Sequence, residues 1–269
     1  MLGHWLFWVA ALFVIIFLRY VAFSGGYHYL LRNRLRDRFR HRIFHYEVGA
    51  GSQVGTEIRR SAMVSLIFAA FGILVLVLWQ YDYTQLYASL DSTGDWIWLL
   101  LGPVLFLFAQ ETYYYWVHRW MHRPGVYERV HSWHHESIET TAWTAFSFHP
   151  IEAVLQAGFL PLSVLLIPMH VLAFLTLLAV MTLSATINHA GIEVFPASWA
   201  RYPLLRGLIG ATHHDAHHKQ ARYNFGLYFT FWDDWMGTES PKFREQFERY
   251  TRRPVPSEVD QERTQTQAR

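Results

Sequence analysis

The sequence predicts an all-α integral membrane protein with about four to five membrane helices, including one hairpin, and a cytoplasmic cap of histidine-rich helices. Three observations support this prediction. Hydrophobic residues make up 52% of the 269 residues and charged residues only 16%, against roughly 25% charged residues in an ordinary soluble domain. Several apolar runs are long enough to cross about 30 Å of hydrocarbon. Twelve of the sixteen histidines fall between positions 118 and 218.

The first predicted membrane helix spans about 5–23 and is followed by an arginine-rich stretch, RNRLRDRFRHR, at 32–42. No basic region precedes the apolar run and no small-residue cleavage site follows it, so we expect a retained helix rather than a signal peptide. The positive-inside rule places the arginines in the cytoplasm. There they face anionic lipid headgroups, and no nucleic-acid partner is expected. Residues 47–57 are rich in glycine and are predicted to form a loop.

Two more membrane helices are predicted at about 61–79 and 96–117, and the segment between them contains aspartates but no lysine or arginine, as expected on the outer side. The apolar run 151–187 is too long for one crossing and is interrupted by prolines. We expect a hairpin that turns near Pro168–His170 and has both ends on the cytoplasmic side. His170 then lies on the opposite side of the membrane from the other histidines of the 118–218 region.

The chain is expected to form one membrane-embedded domain with three regions. Residues 1–95 supply the N-terminal membrane helices and a basic cytoplasmic loop, and residues 96–240 form the histidine-rich region. Residues 241–269 are polar and are expected to form a disordered tail.

Eight histidines occur in three groups at helical spacing. They are His118 and His122; His131, His134 and His135; and His214, His217 and His218. Residues three and four apart share one helix face, so each group can direct its imidazoles to one point. Unpaired polar groups near lipid are costly, and imidazole is a common ligand of iron, copper and zinc. The three groups are therefore predicted to converge on metal.

Composition limits the kind of metal site. The chain contains no cysteine, which excludes disulfides, thiolate ligands and iron–sulfur clusters. The HExxH motif of zinc peptidases is absent from the sequence. A structural zinc site needs about four ligands, so a two-metal site with about four or five imidazoles per metal fits the number of histidines better. The chemistry of imidazole alone leaves iron, copper and zinc open.

The order of these motifs resembles that of the fatty acid hydroxylase/sterol desaturase superfamily over about 110–240. The similar stretches are ETYYYWVHR (111–119), HRWMH (118–122), HSWHHE (131–136), FHPIE (148–152), NHAG (188–191), HHDAHH (213–218) and NFGLYFTFWDDWMGT (224–238). The resemblance implies a membrane-bound, non-haem enzyme with two iron ions as cofactor and O₂ as co-substrate. Such enzymes use reducing equivalents to hydroxylate or desaturate a sterol, fatty acyl or other lipid C–H bond.

Carried over residue by residue, the resemblance assigns the eight clustered histidines to metal ligation and adds His189 from the NHAG stretch. His149, in FHPIE, and His213, beside the last group, are further candidate ligands. Other members have an additional histidine about one turn before His189, where this chain has Ser184 and Asn188. Asn188 is a candidate weak ligand or hydrogen-bond partner.

Glu111 is the leading candidate for a catalytic carboxylate that assists the ligands. It lies seven residues before His118, about two helical turns, and so shares its face. An ionisable group within an apolar span is a functional signal by default, and a ligating imidazole usually donates its other N–H to a carboxylate or carbonyl. An interfacial carboxylate is the alternative. Weaker candidates for the same role are Asp215, Glu136, Glu152 and Glu193.

The expected partners are a lipid substrate from the bilayer and a separate electron donor. The sequence has no dinucleotide-binding fingerprint and no extension that resembles cytochrome b5, so a reductase, ferredoxin or cytochrome is expected to supply electrons. One alternative is a membrane metal-binding or metal-transport protein without oxygenase activity. That class would place polar ligands along a path within the spans, whereas these histidines follow the spans. A haem-binding electron carrier and a di-zinc hydrolase are further alternatives.

Overall fold

A computed structural model describes residues 2–44 and 51–252, which are mostly helical. The longer helices are separated by short ones and by two two-residue strands. In chain order the elements are α1 (Leu2–His28), α2 (Arg36–Phe39), α3 (Gly51–Gln80), β1 (Leu86–Tyr87), α4 (Thr93–Met121), α5 (Tyr127–Val130), α6 (Ser132–His135), α7 (Pro150–Leu166), β2 (Met169–His170), α8 (Val171–His189), α9 (Ala211–Gln220), α10 (Phe231–Met236) and α11 (Phe243–Thr251).

Four helices in the described part of the chain are long and apolar enough to cross a membrane. They are His4–Arg34, Gln53–Gln80, Thr93–Met121 and Val171–His189. The helix α7 is also apolar but has only 17 residues. The chain is an integral membrane protein, and the prediction of about four to five membrane helices is confirmed. The first helix is longer than the predicted 5–23, because α1 continues through a π-helical turn at Tyr29–Arg34 into the arginine-rich stretch.

The predicted hairpin is formed by α7 and α8. The strand β2 lies between them and pairs in parallel with β1, which fixes the hairpin turn to the segment that follows α3. A Cβ on Gly102 of α4 would meet the carbonyl oxygen of Pro168 at 2.5 Å, so glycine allows α4 to pack directly on the turn. His170 lies at this turn, 3.2 Å from the carbonyl oxygen of Ala88, at the end of the bundle opposite the C-terminus of α4.

Apolar contacts hold the bundle together around α4 and α1. Phe106 of α4 packs edge-on against Phe159 of α7, with ring centroids 5.2 Å apart. Tyr20 of α1 stacks on Phe146 at 5.3 Å, and its hydroxyl donates to the carbonyl oxygen of Trp143. The first membrane helix is thereby fixed to the loop that connects α6 with α7. In lipid, such close packing and interhelical hydrogen bonds drive helix association.

The predicted loop at 47–57 is partly wrong, because α3 begins at Gly51; residues 45–50 lie outside the described part. The physical reason is one contact within the helix and one contact with a distant segment. Gln53 donates to the carboxylate of Glu57 one turn later and to the carbonyl oxygen of Glu139, and these contacts outweigh the low helix propensity of glycine.

The expectation of a disordered tail over 241–269 does not hold for its first part. Residues 243–251 form α11, and Phe243 packs on His213 of α9 with ring centroids 5.0 Å apart. Burial of Phe243 explains why this polar segment is ordered as a helix. Residues 253–269 lie outside the described part of the chain.

Candidate metal centre

Nine histidines of the described residues form two groups with the spacing of metal ligands. Within each group, one ring nitrogen of every member lies within 4.8 Å of the others. The five-histidine group consists of His118, His122, His131, His135 and His217. The four-histidine group consists of His134, His189, His214 and His218. Each group therefore has the four or five imidazoles that the sequence analysis favoured for each metal.

The helices α6 and α9 each contribute to both groups. Consecutive residues on a helix point about 100° apart, so His134 and His135 enter different groups. His217 and His218 are divided between the groups in the same way. The rings of His135 and His218 lie 4.7 Å apart between their centroids, so the two groups adjoin. This arrangement suits two metal ions held side by side.

Backbone carbonyl oxygens orient four of these imidazoles. A carbonyl oxygen only accepts hydrogen bonds, so the Nδ1 atom that faces it carries the proton and Nε2 keeps a lone pair. The pairs are His118 with Phe225 (2.9 Å), His134 with Ser147 (3.3 Å), His189 with Ala185 (2.7 Å) and His217 with Tyr223 (2.7 Å).

The Nε2 atoms left with lone pairs face one another. Those of His134 and His189 lie 3.1 Å apart. Since both Nδ1 atoms already donate to carbonyls, neither Nε2 atom of the neutral rings has a proton to share. Burial, followed by the neighbouring imidazoles, lowers the pKa of His134 well below its usual value, which disfavours an added proton. A metal cation between the two Nε2 atoms would relieve the repulsion between their lone pairs. The donor set therefore fits a metal ion.

Glu152 contacts a candidate ligand directly. Its Oε2 lies 2.8 Å from Nδ1 of His131, and both side chains are fully buried. The approach is less well aligned than a regular hydrogen bond. Gln156, one turn further along α7, donates to the other carboxylate oxygen at 3.0 Å. A carboxylate behind a ligating imidazole fixes the ring and raises its basicity, so Glu152 occupies the position that the sequence analysis favoured for Glu111.

Glu111 instead holds the loop that follows α9. Its carboxylate accepts backbone N–H bonds from Leu227 (3.0 Å), Tyr228 (2.6 Å) and Phe229 (3.1 Å), and no imidazole of the described residues bonds to it. The same loop provides the carbonyl oxygen of Phe225 that orients His118. Glu111 therefore contacts the candidate ligands only indirectly, through the backbone of this loop.

Two candidate ligands lie outside both groups. His149 caps the N-terminus of α7, where its Nδ1 accepts from the N–H of Ile151, and its ring packs on Trp133. His213 is buried and lies 3.7 Å from a carboxylate oxygen of Asp233, because α9 turns it away from its neighbour His214.

The other residues that the sequence analysis considered bond to parts of the fold outside the two groups. Asn188 donates to the carbonyl oxygen of Leu227. Glu136 pairs with Arg60 and Asp215 with Lys219. Glu193 accepts from the N–H and the hydroxyl of Thr212, which fixes the N-terminus of α9.

Sequence reasoning missed Glu57, which is buried on α3. Its carboxylate accepts hydroxyl hydrogen bonds from Ser137 (2.7 Å), Thr141 (3.1 Å) and Thr144 (2.8 Å). These bonds hold the segment that follows α6, and so fix the position of the chain directly after His134 and His135. A carboxylate four residues before an apolar run is the one local signal that could have drawn attention to it.

An apolar cavity adjoins the histidines. It has an empty volume of about 960 Å³, including its open mouth, and is lined by residues of α1, α3, α4, α7 and α8. The ring of Tyr114, in its wall, lies 5.0 Å from the ring of His118. Phe148, also in the wall, lies 5.1 Å from the ring of His134. The cavity therefore borders both histidine groups and is suited to an apolar guest.

Comparison with curated proteins identifies relatives that are sterol enzymes. The chain is 28% identical over 200 residues to a Delta(7)-sterol 5(6)-desaturase, ERG3B, of Gibberella zeae, covering 74% of this chain and 60% of the relative. It is 33% identical over 153 residues to the lathosterol oxidase of Mus musculus, covering 56% of this chain and 49% of the relative. The chain thus spans about half to three fifths of the length of these relatives. No solved structure matches it.

The family model described as "Fatty acid hydroxylase" matches residues 103–238. This match covers half of the chain and includes all nine histidines of the two groups. It confirms the resemblance that the order of the histidine motifs indicated. The chain belongs to the fatty acid hydroxylase family.

Proposed function

We propose that this chain is an O₂-dependent membrane lipid oxidoreductase that hydroxylates or desaturates a C–H bond of a sterol, fatty acyl or other lipid. The observation that carries the proposal is the set of facing imidazole lone pairs, in groups of five and four, beside an apolar cavity. The names of the relatives, a sterol desaturase and a lathosterol oxidase, point to the same class of chemistry.

Two iron ions are the proposed cofactor, one held by each histidine group. Nitrogen ligation without thiolate is compatible with iron, and the family favours iron over copper and zinc. When bound, the metal supplies the activation of O₂ that lets a C–H bond be oxidised.

The chain's own residues hold the ligands and present the lipid. Backbone carbonyls keep the Nδ1 protons of His118, His134, His189 and His217 pointing away from the centre, which leaves Nε2 free to ligate. Glu152 steadies His131. The apolar wall at Tyr114 and Phe148 excludes water and places the lipid chain or ring system next to the histidines. Preorganised ligands and a dry cavity are the protein's share of such chemistry.

The proposed site lies at the cytoplasmic face. Ile43, which directly follows the arginine-rich stretch, forms an antiparallel bridge with Ile192, just after His189. Arg42 donates to the carbonyl oxygen of Phe195 at 3.0 Å. The arginines and the histidine groups therefore share one end of the bundle, and the positive-inside rule assigns that end to the cytoplasm. A cytoplasmic reductase, ferredoxin or cytochrome is the proposed electron donor.

The test combines metal analysis of the purified protein, O₂ consumption with a supplied electron donor, and lipid analysis of expressing cells. We expect bound iron and an O₂-dependent hydroxylated or desaturated lipid. His134→Ala and His217→Ala are expected to abolish this product while the protein still inserts into the membrane. His149→Asn is the matched control, because asparagine can keep the cap of α7 and position 149 lies outside both groups.

Two outcomes would contradict the proposal. One is an unchanged lipid profile despite bound iron, O₂ and electrons, which would favour the metal-binding or metal-transport alternative. The other is full activity in either histidine variant, which would refute the ligand assignment.

A further inference from the structure

The cavity contains one residue that a hydrocarbon guest does not explain, Arg19 of α1. Among the described residues that line the cavity, it is the only charged one. Within the described part of the chain, its Nε atom is buried without a hydrogen-bond partner, and no carboxylate pairs with its guanidinium. A guanidinium in apolar surroundings is costly unless an anion accompanies it.

Two neutral polar side chains of the cavity add hydrogen-bond donors. Gln110 uses its side-chain oxygen to accept from the hydroxyl of Tyr228 at 2.9 Å, which leaves its NH₂ group. The phenol of Tyr114 lines the same cavity, and none of the described residues is its hydrogen-bond partner. Among the described residues, the cavity wall therefore combines one positive charge and hydrogen-bond donors with no carboxylate. This is the complement of an anionic oxygen group.

We propose that Arg19 binds an acidic group of the lipid that enters the cavity, and so makes the site selective for acidic amphiphiles. A carboxylate, sulfate or phosphate can take two parallel hydrogen bonds from a guanidinium and neutralise its charge. A neutral hydroxyl accepts a hydrogen bond but leaves the charge uncompensated, so the observations favour an acid. The inference depends on the proposed function only in calling the bound lipid a substrate.

The position of Arg19 also orients the lipid. Arg19 and Ile16 line the cavity from α1, and Tyr114 of α4 and Phe148 form the part of its wall that contacts the histidine rings. A lipid held at Arg19 by its acidic end keeps its apolar remainder inside the cavity that borders the histidines. Arg19 is therefore a positioning and specificity residue, because it binds the acidic group of the lipid and not the C–H bond that reacts.

The test compares binding of matched acidic and neutral lipids to the purified protein in detergent. The probe pairs are cholesteryl sulfate with cholesterol, and oleate with oleyl alcohol. The proteins are the wild type, Arg19→Gln, Arg19→Lys and the control Arg38→Gln, whose arginine is exposed outside the cavity.

We expect the acidic member of at least one pair to bind about tenfold or more weakly to Arg19→Gln than to the wild type, as for the loss of a desolvated ion pair. Its neutral partner should bind equally to both proteins. Arg19→Lys keeps the charge and should retain most of the preference, and Arg38→Gln should behave as the wild type.

Equal binding of the acids to wild type and Arg19→Gln would overturn the inference. If Arg19→Gln also binds the neutral lipids more weakly, the Arg19→Lys variant distinguishes the two explanations. Preferential binding of the acidic lipids to Arg19→Lys supports the inference, and the absence of this preference overturns it. Inorganic sulfate that competes as strongly as cholesteryl sulfate would overturn the assignment to a lipid-borne group. Binding needs neither O₂ nor electrons, so an acid preference without lipid oxidation contradicts the proposed function alone.

Discussion

Glu111→Gln tests whether the loop after α9 positions the metal ligands. The wild-type carboxylate accepts three backbone N–H bonds. Glutamine offers one neutral oxygen and directs an NH₂ group towards a backbone N–H, so at least one of the three donors loses its partner. Hydrogen bonds to a charged group contribute about 1.5–3 kcal/mol, and an orphaned buried donor costs about 1–3 kcal/mol. We expect the variant to lose about 2–4 kcal/mol of unfolding free energy.

The same substitution should weaken metal binding. The loop that Glu111 holds carries the carbonyl oxygen that orients His118, and Tyr223 at its start orients His217. Loss of such outer contacts typically lowers metal affinity by about 10–100-fold. The measurements are the thermal unfolding midpoint in detergent and the iron affinity by equilibrium dialysis.

Glu136→Gln is the matched control for Glu111→Gln. Glu136 forms an ion pair with Arg60, but its side chain is 57% exposed, so the substitution should cost only about 0–1 kcal/mol and leave metal affinity unchanged. If Glu111→Gln is as stable as Glu136→Gln and binds iron as tightly, the loop does not position the ligands and the reasoning is refuted.

Three further predictions concern the histidine groups and their support. His217→Ala removes an imidazole of the five-histidine group and should lower bound metal in elemental analysis, whereas unchanged metal would exclude His217 as a ligand. Glu57→Gln should loosen the segment that contains Ser137 and Thr144, seen as faster proteolysis there; an unaltered cleavage rate would show that the carboxylate is dispensable. Metal-free protein should lose stability as the pH falls from about 6.5 towards 4, because burial lowers the pKa of His135 to about 4 while the unfolded chain takes up its proton near 6.5. Each such histidine contributes a slope of about 1.4 kcal/mol per pH unit, and a flat unfolding midpoint over this range would contradict the burial of neutral imidazoles.

The sequence alone determined the membrane helices and most of the candidate ligands. Apolar runs report membrane helices directly, because the bilayer requires about 20 consecutive apolar residues, and the proline-interrupted run at 151–187 correctly predicted the hairpin. Helical spacing likewise identified the histidine groups, since residues three and four apart lie on one face whatever the rest of the fold does. Membrane helices and shared helix faces depend only on residues that are close in sequence, so they can be predicted from the sequence alone.

Only the tertiary structure decided how those residues combine. Neighbours in sequence, His134 and His135, belong to different groups, and spacing cannot show which partner each one meets. Glu111 bonds to Leu227, which lies 116 residues later, and Glu57 supports a segment about 80 residues away. Arg19 lies in the cavity wall, and none of the described residues forms an ion pair with it. A carboxylate or guanidinium in a membrane helix must be compensated somewhere, but its partner depends on how distant helices pack, and that information is not present in local periodicity.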